Sequence, residues 1–548
     1  MSTNISKAKR EELLKQVAEI RSKLLENKDE NTEKLLVYLS NIEKDINGKK
    51  YGLVFEEHRE AVDELLENNV PVLIEDEGLK IDNGGQQNFL IEGDNLASLK
   101  LLEKTHKGKI DLIYIDPPYN TGNKDFVYDD SFVDSEDKFK HSKWLSFMQE
   151  RLKIAHRLLS ENGIIFISID DHEQAQLKIL CDKLFGEKNF ICNFIRTNKV
   201  GSGHDAKEIS IEYDYMLFYS KQRNNIKINQ QIIDTENDPK YKYEDDYIKT
   251  RGKYYLRDLD YKGSYSEGLD YPIIIDGEKI YAGGKFGKPN TWRWSEEKYK
   301  WGCENGFIVI DKNKKKVYIK QYQYVDNNDE IRIRQIPYNA QITCLNSAGS
   351  KELKDVVEQN IFSYPKPLSL ITFAVNLLSK NIVVLDFFAG SGTTGHAVMK
   401  LNAEDGGKRK FILCTNNENN ICRDVTYERI KRVIEKENYK ANLKYYKVDF
   451  VPISEQVYYE YADKLLLHIK ELVELENGID FDGNNKVAIC LTDEDLQEFT
   501  SAFTDATTYK AVYVGHDVFV TPAIESKLNT LGVKINIIPD YYYGELRG

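Results

Sequence analysis

The chain has 548 residues, 41% hydrophobic and 30% charged, with a formal net charge of −13. That length exceeds one hydrophobic core and suggests three or four domains, while no run of about 18 apolar residues exists to span a membrane. The start MSTNISKAKREE lacks an apolar signal core, and seven scattered cysteines without a C-x-x-C pair argue against a disulfide framework and a zinc ribbon, so the expected location is a reducing cytoplasm.

In chain order, residues 7–47 read as two helices. Leu13, Val17, Ile20 and Leu24 share one face, Leu35, Leu39, Ile42 and Ile46 another, and Gly48 ends the second. A hairpin packed on the body is expected, with a dimer contact as the alternative. From about residue 88 the texture becomes buried strands alternating with amphipathic helices. The strands are Asn88–Glu92, Asp111–Ile115 and Ile164–Ile169, and the helices lie over 145–159 and 173–185. This predicts an α/β fold with a parallel sheet covered on both faces.

Residues 221–340 break that rhythm. They hold 14 of the 35 tyrosines and Trp292, Trp294 and Trp301, and they carry 23 Lys+Arg against 19 Asp+Glu, a local net of +4. They read as a β-rich inserted domain. The α/β pattern resumes with a helix over 368–379, a strand over 382–385, a strand over 411–414 and a helical stretch over 424–437. Residues 451–548, with 7 basic and 17 acidic residues (net −10), read as a small α/β appendix with strands near 487–491, 510–514 and 533–538. The expected divisions are 1–50, 51–220, 221–345, 346–450 and 451–548.

Two motifs carry chemistry. Asp386-Phe387-Phe388-Ala389-Gly390-Ser391-Gly392-Thr393-Thr394 leaves a buried strand and enters a helix. Its glycines allow close backbone approach, and the helix start offers free N–H groups. His396-Ala397 after Gly395 excludes a nucleotide-triphosphate loop. The lettering Gly390-x-Gly392-x-x-Gly395 matches a dinucleotide fingerprint, but Asp386 at the strand end would repel a pyrophosphate. It would welcome a ligand with a free ammonium, such as S-adenosylmethionine, although it could also simply cap the following turn.

The second motif is Asp116-Pro117-Pro118-Tyr119, at the end of the strand DLIYI. An exocyclic amine on a base is a poor nucleophile, because its lone pair is delocalised into the ring. Acceptors on its two N–H bonds would draw the nitrogen toward tetrahedral geometry. Asp116 supplies one, and a backbone carbonyl in the Pro-Pro step, held by restricted angles, supplies the other. Tyr119 offers a face for stacking a base flipped out of the duplex. No histidine has metal-ligand spacing, no metal is expected, and Asp170, Asp171 and His172 read as structural. The tryptophans of the insert read as core.

The pair of motifs resembles the amino-methylating DNA methyltransferases. DPPY ahead of the glycine loop, with a long insert between, matches their β-group order. The resemblance covers roughly residues 50–450, and DPPYNTGNKDFVYDDSF is especially similar to modification subunits of type III restriction systems. It implies a Rossmann-like, S-adenosylmethionine-dependent fold with an inserted target-recognition domain. By resemblance, Gly93-Asp94-Asn95 meets the cofactor adenine, Tyr364-Pro365-Lys366-Pro367 covers its methionine end, and Glu418 accepts from the ribose. LLSENGIIFISIDDHE (158–173) resembles the segment following the catalytic loop. The implied cofactor residues are Asp94, Asn95, Lys366, Asp386, Phe388, Ala389, Gly390, Ser391, Gly392, Thr393, Thr394 and Glu418, and the implied catalytic residues are Asp116, Pro117, Pro118 and Tyr119.

The expected function is therefore methylation of the N6 amino group of adenine at specific sites in duplex DNA. The rivals are N4 methylation of cytosine, an RNA substrate, or a non-catalytic DNA-recognition subunit. The implied partners are double-stranded DNA, a second copy of the chain and an ATP-dependent restriction subunit. The acidic appendix is expected to face protein: the second copy, the motor subunit or the catalytic body.

Overall fold

The computed structural model describes residues 5–26, 31–47, 55–122, 127–128, 131–132, 137–201, 209–263, 265–282, 290–357, 362–453, 459–482, 484–502 and 508–544. Gly48 lies outside them. The chain forms two compact units, one of residues 1–227 and 341–548, the other of residues 228–340.

The first unit is built on one mixed sheet of ten strands. In chain order these are β1 (Asn69–Glu75), β2 (Gln86–Glu92), β3 (Ile110–Ile115), β4 (Leu159–Ile169), β5 (Phe190–Thr197), β6 (Tyr213–Ser220), β7 (Gln341–Thr343), β8 (Val383–Asp386), β9 (Lys410–Thr415) and β10 (Ala441–Pro452). Their order across the sheet is β1-β10-β2-β9-β8-β3-β4-β6-β5-β7. From β10 to β4 all neighbours run parallel, whereas β1 and the β4-β6-β5 edge pair antiparallel. The central strands are apolar on both faces, as a parallel sheet covered by helices requires. Asp111, at the start of β3, accepts from Val383 N at 2.9 Å and from the Ser160 hydroxyl at 3.1 Å, tying three neighbouring strands together.

The chain leaves β3 toward β4 on one side and β8 toward β9 on the other. β8 and β3 are themselves paired, Val384 with Leu112 and Leu385 with Ile113. This is a switch point, where open α/β sheets bind ligands beyond the carboxyl ends of their strands.

Boundaries differ from the expectation where strand pairing decides them. The helix expected over 145–159 begins at Lys140, and β4 starts at Leu159 instead of Ile164. The separate unit is 228–340 instead of 221–345, because Gln341–Thr343 pairs with β5. It has a three-stranded antiparallel sheet of Tyr254–Asp258, Lys316–Tyr322 and Ile308–Asp311. Its core holds Trp292, Trp294, Phe307 and Tyr322, with Trp301 packed against it. In the N-terminal pair of helices, Ile5–Glu26 and Thr32–Asn47, Val17 and Leu39 are buried, but Leu13, Ile20 and Ile42 are exposed.

The acidic C-terminal stretch packs into the first unit instead of standing apart. Its parallel strands are Val487–Cys490, Ala511–Gly515 and Lys534–Ile538. Lys444 on β10, 1% exposed, pairs with Glu75 at 3.0 Å, Glu474 at 2.7 Å and Asp480 at 3.2 Å, and Tyr446 donates to Glu474 at 2.9 Å. Of the three protein faces expected for this stretch, the catalytic body is one. Removing it would take Glu474 and Asp480 from Lys444 and leave Glu75 as the remaining carboxylate on that ammonium.

Candidate active site

β3 delivers Asp116 to the carboxyl edge of the sheet, with its side chain 26% exposed. Two neighbours hold the residues that follow. Trp144, wholly buried in the helix Lys140–Leu158, donates its indole N–H to the Pro118 carbonyl at 2.7 Å. Asn120, in the left-handed region at φ 59°, donates to Glu173 at 2.6 Å and to the Lys140 carbonyl at 3.2 Å. Glu173 is fully buried, also meets His141 Nδ1 at 2.6 Å, and has its pKa raised by burial. Tyr119 is half-buried. Among the described residues its hydroxyl has no hydrogen-bond partner, and burial beside Asp116 pushes its pKa well above 10.0.

β8 delivers Asp386 to the neighbouring position. This carboxylate is 3% exposed and accepts from Phe388 N at 3.0 Å and from the Thr394 hydroxyl at 2.5 Å. It does cap the turn, and it also lines the cavity described next. Burial, with the Asp116 charge adding to it, pushes its pKa up to about 7. The helix Thr393–Asp405 starts at Gly392, whose φ of 71° disfavours any side chain. A Cβ there would also approach the Thr426 carbonyl to 3.3 Å. The Thr426 hydroxyl donates to the Gly390 carbonyl at 2.5 Å, which fixes the loop from below.

Between the two strand ends lies a cavity of about 90 Å³. It is smaller than the roughly 300 Å³ at which pockets for whole drug-sized ligands begin, so it fits one end of such a ligand. Of the expected residues, Asp116, Lys366, Asp386, Phe388, Ala389, Gly390, Ser391, Thr393 and Thr394 line it. Lys366 bridges its two sides. Its ammonium sits 2.7 Å from both Asp116 oxygens and 4.9 Å from the centre of the Tyr119 ring. Its carbonyl accepts from Thr393 at 3.2 Å.

Asp94, Asn95 and Glu418 share the carboxyl edge of the sheet but do not line this cavity. Asp94 caps the helix Asn95–His106, accepting from Leu96 N at 2.7 Å and Ala97 N at 3.1 Å. Asn95 accepts from the buried Arg151 at 2.5 Å, and Arg151 pairs with Glu60 at 2.6 Å. Glu418 is exposed in a short turn after β9.

Tyr114, Phe362, Tyr364 and Ile371 also line the cavity. Of these, only Tyr364 falls within a motif read from the sequence. Trp144 and Arg429 were also missed. Trp144 stands 26 residues from the carbonyl it holds, and no local pattern announces that pairing. Arg429 did leave a signal: it sits four residues from both Val425 and Val433, on a stripe that is otherwise apolar and buried.

The family described as DNA methylase matches residues 110–428. Among curated proteins, the Mod subunit of the type III restriction-modification enzyme StyLTI of Salmonella typhimurium is 34% identical over 405 residues, 67% of this chain and 59% of that protein. The EcoPI Mod subunit of Escherichia phage P1 is 32% identical over 433 residues, 70% of this chain and 66% of that one. The type II methyltransferase M.KpnI of Klebsiella pneumoniae is 34% identical over 346 residues, 59% of this chain and 79% of that one. The chain thus spans less than two thirds of the first two relatives. A solved PvuII DNA methyltransferase, cytosine-N4-specific, aligns with 66% of this chain and 98% of its own at 12% identity and a TM-score of 0.34.

Proposed function

The chain belongs to the DNA methylase family, and we propose that it transfers a methyl group from S-adenosylmethionine to the N6 amino group of adenine in duplex DNA. The observation that carries this reading is the pairing of β8 with β3, which places Asp116 and Asp386 on one cavity. The residues present suit the cofactor: a buried carboxylate for an ammonium, and a left-handed glycine turn that lets a ligand approach the backbone. When bound, S-adenosylmethionine supplies an electrophilic methyl group on a sulfonium. Asp386, Lys366 and the loop Phe388–Thr394 hold its methionine end, and Asp94, Asn95 and Glu418 serve its adenosine.

The flipped adenine stacks on Tyr119. Asp116 accepts one N–H of its amine, and a carbonyl of the Pro-Pro step accepts the other. Trp144 already occupies one lone pair of the Pro118 carbonyl, so we assign that role to Pro117, the residue next to Asp116. Both Asp116 oxygens are on Lys366, so the ammonium must yield at least one of them as the amine arrives. Catalysis then comes from positioning and preplaced acceptors, and the proton leaves to water or Asp116. The test is labelled methyl transfer to duplex DNA, followed by nucleoside chromatography. N6-methyladenine is expected. N4-methylcytosine would overturn the base assigned, and no label would overturn the activity.

The unit 228–340 reads the DNA sequence, and the chain acts in the cytoplasm as a homodimer with an ATP-dependent restriction subunit, in the manner of a type III modification subunit. Replacing the unit with that of a relative should change the methylated sequence. Light scattering and capture by a restriction subunit test the assembly, which a monomer that captures nothing would exclude.

A further inference from the structure

The helix Glu428–Glu437 carries a charge that the reading above leaves unused. Arg429 is fully buried. Its Nη1 donates to the Thr393 hydroxyl at 2.7 Å and to the Ser391 carbonyl and hydroxyl at 3.3 Å. Its Nε faces His396 Nδ1 at 3.4 Å, and among the described residues its Nη2 has no hydrogen-bond partner.

Among the described residues no carboxylate pairs with Arg429, and the one negative charge felt at a distance, Glu352, accepts from Leu368 N at 2.8 Å. Other buried arginines of this chain are matched: Arg151 by Glu60, Arg196 by Asp214 and Arg409 by Asp405. A buried cation without a counter-charge is costly and is retained where something supplies the charge. Desolvation lowers its pKa to about 10, so the guanidinium stays charged at neutral pH.

The position of this charge narrows what it serves. Ser391 and Thr393, which Arg429 touches, line the cavity on the side where the helix Thr393–Asp405 begins. That first turn adds open amides and positive potential. Lys366, the cation that lines the cavity, stands on Asp116 and over Tyr119, on the side of the base. The acid on the same cavity is Asp386, at the strand end, which accepts from Phe388 N and the Thr394 hydroxyl. The cavity is thus positive at Ser391–Thr393 and able to hold a negative charge at Asp386, the complement of an α-amino acid zwitterion.

We propose that Arg429 is a positioning residue for the α-carboxylate of the cofactor, acting through the hydroxyls of Ser391 and Thr393 from beneath the loop. This rests on S-adenosylmethionine being the methyl donor. Arg429 donates to both hydroxyl oxygens and holds them in place, so their protons, which in the free protein serve the Lys366 carbonyl and the Ser391–Thr393 contact, can turn to the carboxylate beside a compensating charge. The ammonium goes to Asp386.

The test compares two ligands on the full chain by calorimetry: S-adenosylmethionine and its decarboxylated form, which keeps the ammonium and the sulfonium. The wild type should prefer the carboxylated ligand by roughly 100-fold, the scale of a charge-assisted contact in a buried site. Arg429→Met should shrink that preference by about tenfold or more, and Arg429→Lys should restore part of it. A purely structural role would weaken both ligands equally, and an unchanged preference in folded Arg429→Met would overturn the proposal. If Arg429→Met does not fold, Thr393→Val decides: the preference should narrow there too, and a full preference would overturn the relay. A wild type that binds neither ligand would overturn the choice of cofactor instead. A wild type that binds both equally would overturn this inference alone.

Discussion

Asp116 and Asp386 end neighbouring parallel strands and border one cavity, yet their surroundings differ. Asp116 is partly open to solvent and has both oxygens on the Lys366 ammonium. Asp386 is sealed, bonded among the described residues to a backbone amide and a hydroxyl, and burial pushes its pKa up to about 7. A carboxylate whose cation can be displaced suits an acceptor that a base must reach. A sealed carboxylate poised near neutrality suits a fixed site for a ligand's own cation. The sheet gives both acids the same kind of place, and the neighbours divide the roles.

Removing either side breaks the comparison differently. Asp116→Ala should lower methyl transfer by roughly 100-fold or more, the range for losing one preorganised group at a reacting centre. Binding of S-adenosylmethionine should survive. Residual transfer above a few per cent, or lost cofactor binding, would refute the division of roles. Gly392→Asp should strike the other side. Its φ of 71° strains any side chain and the 3.2 Å approach to Thr426 Cγ2 is tight, and the added charge stands where Arg429 and the helix start favour an anion. Cofactor affinity should fall by at least about tenfold, and unchanged affinity in a folded variant would remove the loop from the site.

Proton linkage sharpens the contrast. Asp386 must be ionised to receive an ammonium, and its pKa of about 7 leaves it largely protonated at lower pH. Cofactor affinity should therefore fall as pH drops below 7, by roughly tenfold between pH 8 and pH 6, with a proton released on binding. Calorimetry in buffers of different ionisation heat reads that proton directly. Asp386→Asn should bind weakly at every pH and release none. In the free protein the same raised pKa stabilises the fold below the unfolded value of 3.8, and that contribution is lost as pH rises through 7. A pH-independent affinity in the wild type would detach Asp386 from the ammonium.

What could be read in advance follows a physical line. Buried parallel strands announce themselves as apolar runs, and a glycine turn or a Pro-Pro step constrains its own backbone, so β3, β8 and their motifs were legible as local sequence. The adjacency of those strands was only a condition, because register is set by contacts between residues more than 250 positions apart. The same limit hid Lys366 on Asp116, a pairing across 250 residues. The resemblance alone puts Lys366 on the cofactor side only. Asp94 too is assigned by resemblance alone, and its Oδ1 caps a helix while Oδ2 makes no part of that cap. The fully buried Trp144 could have been marked as core, but a core tryptophan does not say which carbonyl its N–H will find.

Trp144 gives the smallest and most selective lesion. Phenylalanine would keep most of its packing and remove only the indole N–H that holds the Pro118 carbonyl at 2.7 Å. Losing one such hydrogen bond costs about 1 kcal/mol, and more if the carbonyl stays buried and unpaired. If the loop relaxes, the Pro117 carbonyl loses its fixed direction toward the amine, while nothing on the β8 side changes. Trp144→Phe should therefore lower kcat about fivefold, leave cofactor affinity and its pH dependence as in the wild type, and raise KM for DNA little. A fall in cofactor affinity equal to the fall in kcat would mean that the two strand ends are mechanically coupled through the loop. The separation of roles between Asp116 and Asp386 would then be one of chemistry only, not of structure.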